Sequence, residues 1–204
     1  ARPRGYHRRD ILTALFWPEF SQKSARNSLS NMLYQIRNSL GKESVLNRGI
    51  EEVSLNRDKI WCDALAFEEF INEGNPTGAL DLYRDDLLTG FHVSEVSNNL
   101  TDWLESERNR LRQMAFEASW SLAENAEKSG QPGIAQTWGK KAVSCMDFSE
   151  DACIQLLKLL DRIGHRTEAL KVYKEFVQQL KKKWELEPSD DIVQLFKKIK
   201  AGKS

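Results

Sequence analysis

The chain has little from which to build a redox, metal-bound or membrane-embedded protein. Its 204 residues include three cysteines, at 62, 145 and 153, an odd number at wide spacings. They offer neither a disulfide framework nor a metal-ligand pattern, and such usage fits a reducing cytoplasm. His7, His92 and His165 stand far apart, each without a second ligand close by in sequence. No apolar run approaches the ~20 residues that cross a bilayer. A signal peptide is missing, as are H-E-x-x-H, G-x-S-x-G and a dinucleotide-binding glycine pattern. Ala201-Gly202-Lys203-Ser204 imitates the end of a phosphate-binding loop but lacks the upstream glycine and strand. These absences point away from an enzyme and leave no cofactor, metal or membrane to explain. The sequence opens at Ala1 rather than Met and soon enters a helix, so a piece of a longer protein is expected.

A more local absence carries more information. Between Gln22 and Lys42 there is no acidic residue. Solvent-facing helices usually mix Glu with Lys, because such pairs stabilise an exposed helix. Residues 24–40 read as a helix whose apolar stripe is Ala25, Leu29, Met32, Leu33, Ile36 and Leu40, at spacings of three and four. At roughly 100° per residue, Arg26, Ser30, Tyr34 and Arg37 fall opposite that stripe, flanked by Asn27, Asn31 and Asn38. Arg can fork onto guanine and Asn onto adenine. An ordinary surface helix short of acids is the alternative. Net charge is zero over the chain, yet residues 1–60 hold 11 Lys/Arg against 6 Asp/Glu, and residues 61–204 hold 19 against 24. A basic head on an acidic body suits a polyanion at one end.

Around that helix, Arg2, Arg4, Arg8 and Arg9 make the start basic, with His7 as an exposed surface residue. Residues 10–16 read as a first helix with Ile11, Leu12, Leu15 and Phe16 buried. Trp17-Pro18 ends it, because the residue before Pro avoids helical geometry. Two helices across a short turn, the second polar outside, form the helix-turn-helix pattern. Gly41 caps the second. Val45-Leu46, Val53, Leu55, Ile60 and Trp61 mark short strands, with turns at Asn47-Arg48-Gly49 and Asn56-Arg57-Asp58. That hairpin is a wing whose tip carries Arg48, placed either to enter a minor groove or simply to be solvated.

From Asp63 onward the sequence predicts helices over 64–72, 77–86, 99–128, 132–145, 150–163, 166–184 and 190–200. Gly74/Ala79, Gly130/Ala135 and Gly164/Ala169 share a Gly-x4-Ala spacing, the last two pairs 34 residues apart. That is the tetratricopeptide period: the small Ala lets antiparallel helices approach, and the Gly permits the turn. Residues 87–98 interrupt the helices, and nothing near His92 suggests a pH switch. The charge run Glu105, Glu107, Arg108, Arg110 and Arg112 reads as a solvated face. The six tryptophans, at 17, 61, 103, 120, 138 and 184, read as core or inter-helix anchors.

Several ordered segments resemble a known family. Arg9-Asp10-x-Leu12…Phe16-Trp17-Pro18, Ser24-Ala25-Arg26-Asn27-Ser28-Leu29 and Ile36-Arg37-x-x-Leu40-Gly41 resemble the winged helix of bacterial antibiotic-regulatory activators. Asp63…Phe67, Tyr83-x3-Leu87-Leu88-x-Gly90-Phe91, Trp103-Leu104…Arg108 and Gly164-x4-Ala169-Leu170-x-x-Tyr173 resemble the bacterial transcriptional activator domain that follows it.

The resemblance implies a mainly α chain. Residues 1–62 would form a partial winged helix-turn-helix with a small hairpin, and residues 63–204 a tetratricopeptide-like helical-repeat domain. It implies a DNA-binding transcriptional regulator, cytoplasmic and not an enzyme. Its partners would be double-stranded promoter DNA, RNA polymerase or another protein, and a second copy of the chain. By position, 24–40 would be the recognition helix, Arg26, Asn27, Ser30, Asn31, Tyr34 and Arg37 its DNA-facing residues, and Arg48 the wing contact. The sequence departs from the family in lacking the strands and first helix that precede the position of Arg9, and in carrying Phe16 where Leu is usual. That departure keeps a second reading open, a protein-interaction scaffold with a vestigial head.

Overall fold

The computed structural model describes residues 5–90, 97–146 and 149–202. Arg2, Arg4, Phe91, His92, Lys203 and Ser204 therefore lie outside the described residues. The chain divides into two compact units, residues 1–111 and 112–204.

The first unit opens with β1 (His7–Arg8), α1 (Arg9–Phe16) and α2 (Gln22–Leu40). A short 3-10 turn (Lys42–Ser44) leads to β2 (Val45–Arg48) and β3 (Glu52–Leu55), followed by α3 (Asp63–Asn72), α4 (Pro76–Leu82) and the start of α5 (Asn98–Lys128). The three strands form one antiparallel sheet in the order β1-β3-β2. Strand β1 is too short and too polar to show a period of two. It forms because β3 offers a free edge, pairing His7 with Val53. Ser21 caps α2 by accepting from the Ser24 N–H at 3.3 Å. Gly41 closes α2 at φ +100°, ψ 152°, a conformation that only glycine takes without strain. Leu29, Leu33, Val45 and Val53 form the core of the head, with Leu12, Trp17, Met32 and Ile36 packed against it.

Several expectations fail here for local reasons. Ile11 and Leu40 are exposed. The buried residue of α1 is Thr13, whose hydroxyl donates to the Asp10 carbonyl at 2.9 Å and so loses no hydrogen bond. Asn47 and Arg48 belong to β2, and the turn itself is residues 49–51, with Gly49 at φ +62°. Ile60 and Trp61 lie outside the strands, and Trp61 is 71% exposed. Trp184 is exposed too, so two of the six tryptophans lie outside the core. Helix α4 stops at Leu82, four residues early, because Tyr83 turns extended and lays its ring 5.6 Å from that of Phe67. The charge run on α5 is not a solvated face. Arg108 donates to the carbonyls of Leu87 and Leu88 at 2.9 and 3.0 Å, and Arg110 pairs with the buried Glu68 at 2.6 Å.

The second unit holds the rest of α5, then α6 (Pro132–Cys145), α7 (Glu150–Arg162), α8 (Arg166–Trp184) and α9 (Asp190–Ala201). Its core gathers Cys153, Leu156, Leu157, Leu159, Leu160, Phe176 and Ile192.

The Gly-x4-Ala spacing has a concrete form. Gly74, Gly130 and Gly164 take φ +73°, +67° and +80°. In each turn the glycine N–H bonds three residues back, and the next N–H bonds five back: Asn75 to Phe70, Gln131 to Ala126 and His165 to Leu160, at 2.8–2.9 Å. This is the Schellman closure. Ala79, Ala135 and Ala169 are all fully buried.

Gly139 marks another close approach. A Cβ there would sit 2.7 Å from Leu159 Cδ2 and 3.0 Å from Leu156 Cδ1. Both leucines are buried, and one of them must shift to admit it. Alanine at an exposed helical site would stabilise the helix by ~1 kcal/mol over glycine. At this site we expect Gly139→Ala to destabilise the unit by ~1–3 kcal/mol through overpacking, measured as a lower denaturant midpoint at unchanged slope.

Candidate nucleic-acid interface

Helix α2 is packed on one side only. Ala25, Leu29 and Leu33 are buried, and Met32 and Ile36 are half-buried against the same core. Its period then places Arg26, Asn27, Ser30, Asn31 and Tyr34 outside. All five are exposed, Tyr34 by 61%. Among the described residues the side chains of Asn27, Ser30, Asn31 and Tyr34 make no hydrogen bond, so their donors and acceptors face solvent. From Arg26 to Tyr34 the row runs ~12 Å at 1.5 Å per residue, the rise of about three to four base pairs.

Arg37 is placed differently. It is half-buried, and its Nη2 donates to the Val45 carbonyl at 3.3 Å and to Asn47 Oδ1 at 3.2 Å. The same Asn47 oxygen accepts from Arg9 Nη2 at 3.2 Å. Arg37 is thus a strut between α2 and β2, separated from the open row.

Arg48 ends β2 beside the turn. Its Nε donates to Glu52 Oε2 at 2.5 Å, and its guanidinium lies 4.6 Å from the centre of the Tyr6 ring. Arg48 and Glu52 are ladder partners, directly opposite across the hairpin. The hydrogen bond from Arg48 holds the Glu52 carboxyl below the ordinary carboxylate range and pushes the Arg48 guanidinium up. Both groups therefore stay charged through neutral and mildly acidic pH. A like pair occupies the start of α1, where the hydrogen bond from Arg8 lowers Asp10.

Arg26 also has a partner. Its Nη2 donates to Glu51 Oε2 at 3.1 Å, with Oε1 at 3.4 Å, and the two side chains are 46% and 45% exposed. A helix free of acids in sequence is therefore met in space by a carboxylate from the wing. The Arg48–Glu52 pairing was open to reading from strand alternation. The Arg26–Glu51 contact spans 25 residues and depends on how the turn bends, so no sequence period announces it. Also unforeseen is Ile50 at the wing tip, 84% exposed between Gly49 and Glu51.

The second unit offers a cavity of about 360 Å³ among α6, α7 and α8, lined in part by Lys140, Cys153, Leu156, Phe176 and Gln179. Burial pushes the Cys153 thiol up to about 12, so it is no thiolate at neutral pH. Lys140 binds Glu168. Among the described residues no group of three or more His, Cys, Asp or Glu side chains could hold a metal ion. No described helix is long and apolar enough to cross a membrane.

Residues 74–200 match the family model described as the bacterial transcriptional activator domain. Among solved structures the chain is similar to Mycobacterium tuberculosis EmbR, determined in complex with a low-affinity phosphopeptide. The two share 17% sequence identity at a TM-score of 0.53, over 100% of this chain and 56% of that one. At that identity the likeness concerns the fold, a winged head followed by helical repeats. The chain spans about half the length of the solved chain it matches. No curated protein matches.

Proposed function

The chain belongs to the bacterial transcriptional activator domain family, and from that premise we propose that it regulates transcription by binding promoter DNA through α2. Residues 1–62 act as the DNA-binding head and 63–204 as the helical body that engages RNA polymerase or another protein, with homodimerisation through either part compatible with the reading. A cytoplasmic location goes with this activity. The observation that carries it is the open row on α2, where Arg26, Asn27, Ser30, Asn31 and Tyr34 stand exposed on a helix backed by a small sheet and a wing.

In this reading α2 lies in the major groove, which admits an α-helix. Asn27 and Asn31 present paired donors and acceptors suited to adenine. Arg26 presents the fork suited to guanine, and the Tyr34 and Ser30 hydroxyls reach base edges or phosphates. Arg48 approaches the neighbouring backbone from the wing. Arg37 supports the face from behind and leaves the reading to the others.

One observation favours the scaffold reading. Arg26 and Arg48 already hold carboxylates of their own chain, and these would repel phosphates. A salt titration separates the two. For a DNA-binding head with ~3 phosphate contacts, affinity for duplex DNA falls on the order of tenfold to a hundredfold between about 50 and 200 mM salt. Fluorescence anisotropy on labelled duplex measures it. A chain that shows no duplex binding at the low end is a scaffold.

A further inference from the structure

We propose that Glu51 is a positioning residue that aims the Arg26 guanidinium at a guanine and so sets the base preference at one position of the site. The inference rests on the DNA-binding reading above. Glu51 closes the wing turn, and its backbone is fixed, because its carbonyl accepts from the Arg9 N–H at 2.8 Å. The next residue enters β3, which is paired on both edges. From that anchored position the carboxylate reaches the first turns of α2 and takes Arg26 by Nη2 alone, at 3.1 and 3.4 Å.

A guanidinium carries five N–H donors in a rigid fork. Glu51 takes one of the two Nη2 hydrogens, and Nε and Nη1 make no hydrogen bond among the described residues, so the second Nη2 hydrogen with its neighbour on Nε or Nη1 remains an open converging pair. Guanine O6 and N7 need two converging donors. An unheld Arg side chain samples many rotamers, and a bidentate contact requires one. Glu51 supplies that restraint across the gap between wing and helix. Arg48 is held differently: Glu52 takes its Nε, the donor at the base of the fork, and the pair lies on the sheet beside Tyr6.

The rival account of Glu51 is purely electrostatic: a carboxylate near the phosphates that weakens all binding alike. The two accounts separate because charge and hydrogen bonding can be removed independently. Glu51→Gln removes the charge and keeps an acceptor oxygen. Glu51→Ala removes both. The side chain is half-exposed, so both variants keep the fold, and thermal melts check this.

The experiment selects bound duplexes from a random-sequence library with the full chain, its Arg26→Ala variant and the two Glu51 variants, and sequences each bound fraction. The unaltered chain should enrich a motif with a guanine that Arg26→Ala no longer selects. At that position Glu51→Ala should lose about tenfold in preference, within the range one bidentate contact provides. Glu51→Gln should keep most of it. Removing the charge should by itself raise affinity for every sequence by the same factor in both variants, so the preference at the guanine is what separates them. The proposal is overturned if Gln and Ala discriminate alike, if the guanine preference stays sharp in Glu51→Ala, or if every position flattens together. If the unaltered chain enriches no motif at all, the DNA-binding reading fails and takes this inference with it.

Discussion

Replacing Arg26, Asn31 and Tyr34 together with alanine should lower affinity for a selected duplex by a hundredfold or more while leaving the melting temperature in place. At ~1–3 kcal/mol of discrimination for each bidentate contact, the Arg and the Asn alone account for about 2–6 kcal/mol. The three side chains are exposed on the outer face of α2, so no core atom is removed. Alanine is the best helix former, and the helix gains a few tenths of a kcal/mol per site. Binding and stability should therefore move apart. Parallel anisotropy titrations and thermal melts read both. A variant that binds as the unaltered chain does would show that the row on α2 is not the contact. Arg37→Ala provides a contrast: it removes donors to the Val45 carbonyl and Asn47, so its effect should appear in the melt.

The second large effect is on stability. Leu157 is fully buried in the core of the second unit. Leu157→Ala should cost about 2–5 kcal/mol, the sum of lost burial and the cavity left behind. For a unit of this size that lowers the melting midpoint by on the order of ten degrees or more. Ile134→Ala is the matched control. That side chain is half in solvent, and the substitution should stay within about 0.5 kcal/mol. Equal losses at the two sites would mean that α6 and α7 do not pack as described.

What could be foreseen divides along the range of the physics involved. The helix of the row was legible because its stripe repeats every three or four residues, and the Gly-x4-Ala turns because each is closed by bonds between near neighbours. Gly74, Gly130 and Gly164 share one hydrogen-bond pattern and were found by spacing alone. Strand β1 was not legible, since two polar residues carry no period and form a strand only by lying against β3. Leu40 and Ile11 were assigned to the core because the helical period says which residues share a face. It does not say whether another element covers the end of that face. Arg37 has the same cause in reverse: it shares the outer face by angle, yet its long side chain folds back to Asn47. The carboxylate of Glu51 returns to the site through the bend of the wing, which no one-dimensional pattern encodes.

The three glycine corners have a consequence for how such a chain can change length. Two of them, at Gly130 and Gly164, lie 34 residues apart and close on the same pair of backbone bonds. A block cut from one corner to the next would carry a matching joint at each end. Duplicating it would add a whole step to the stack without redesigning either junction.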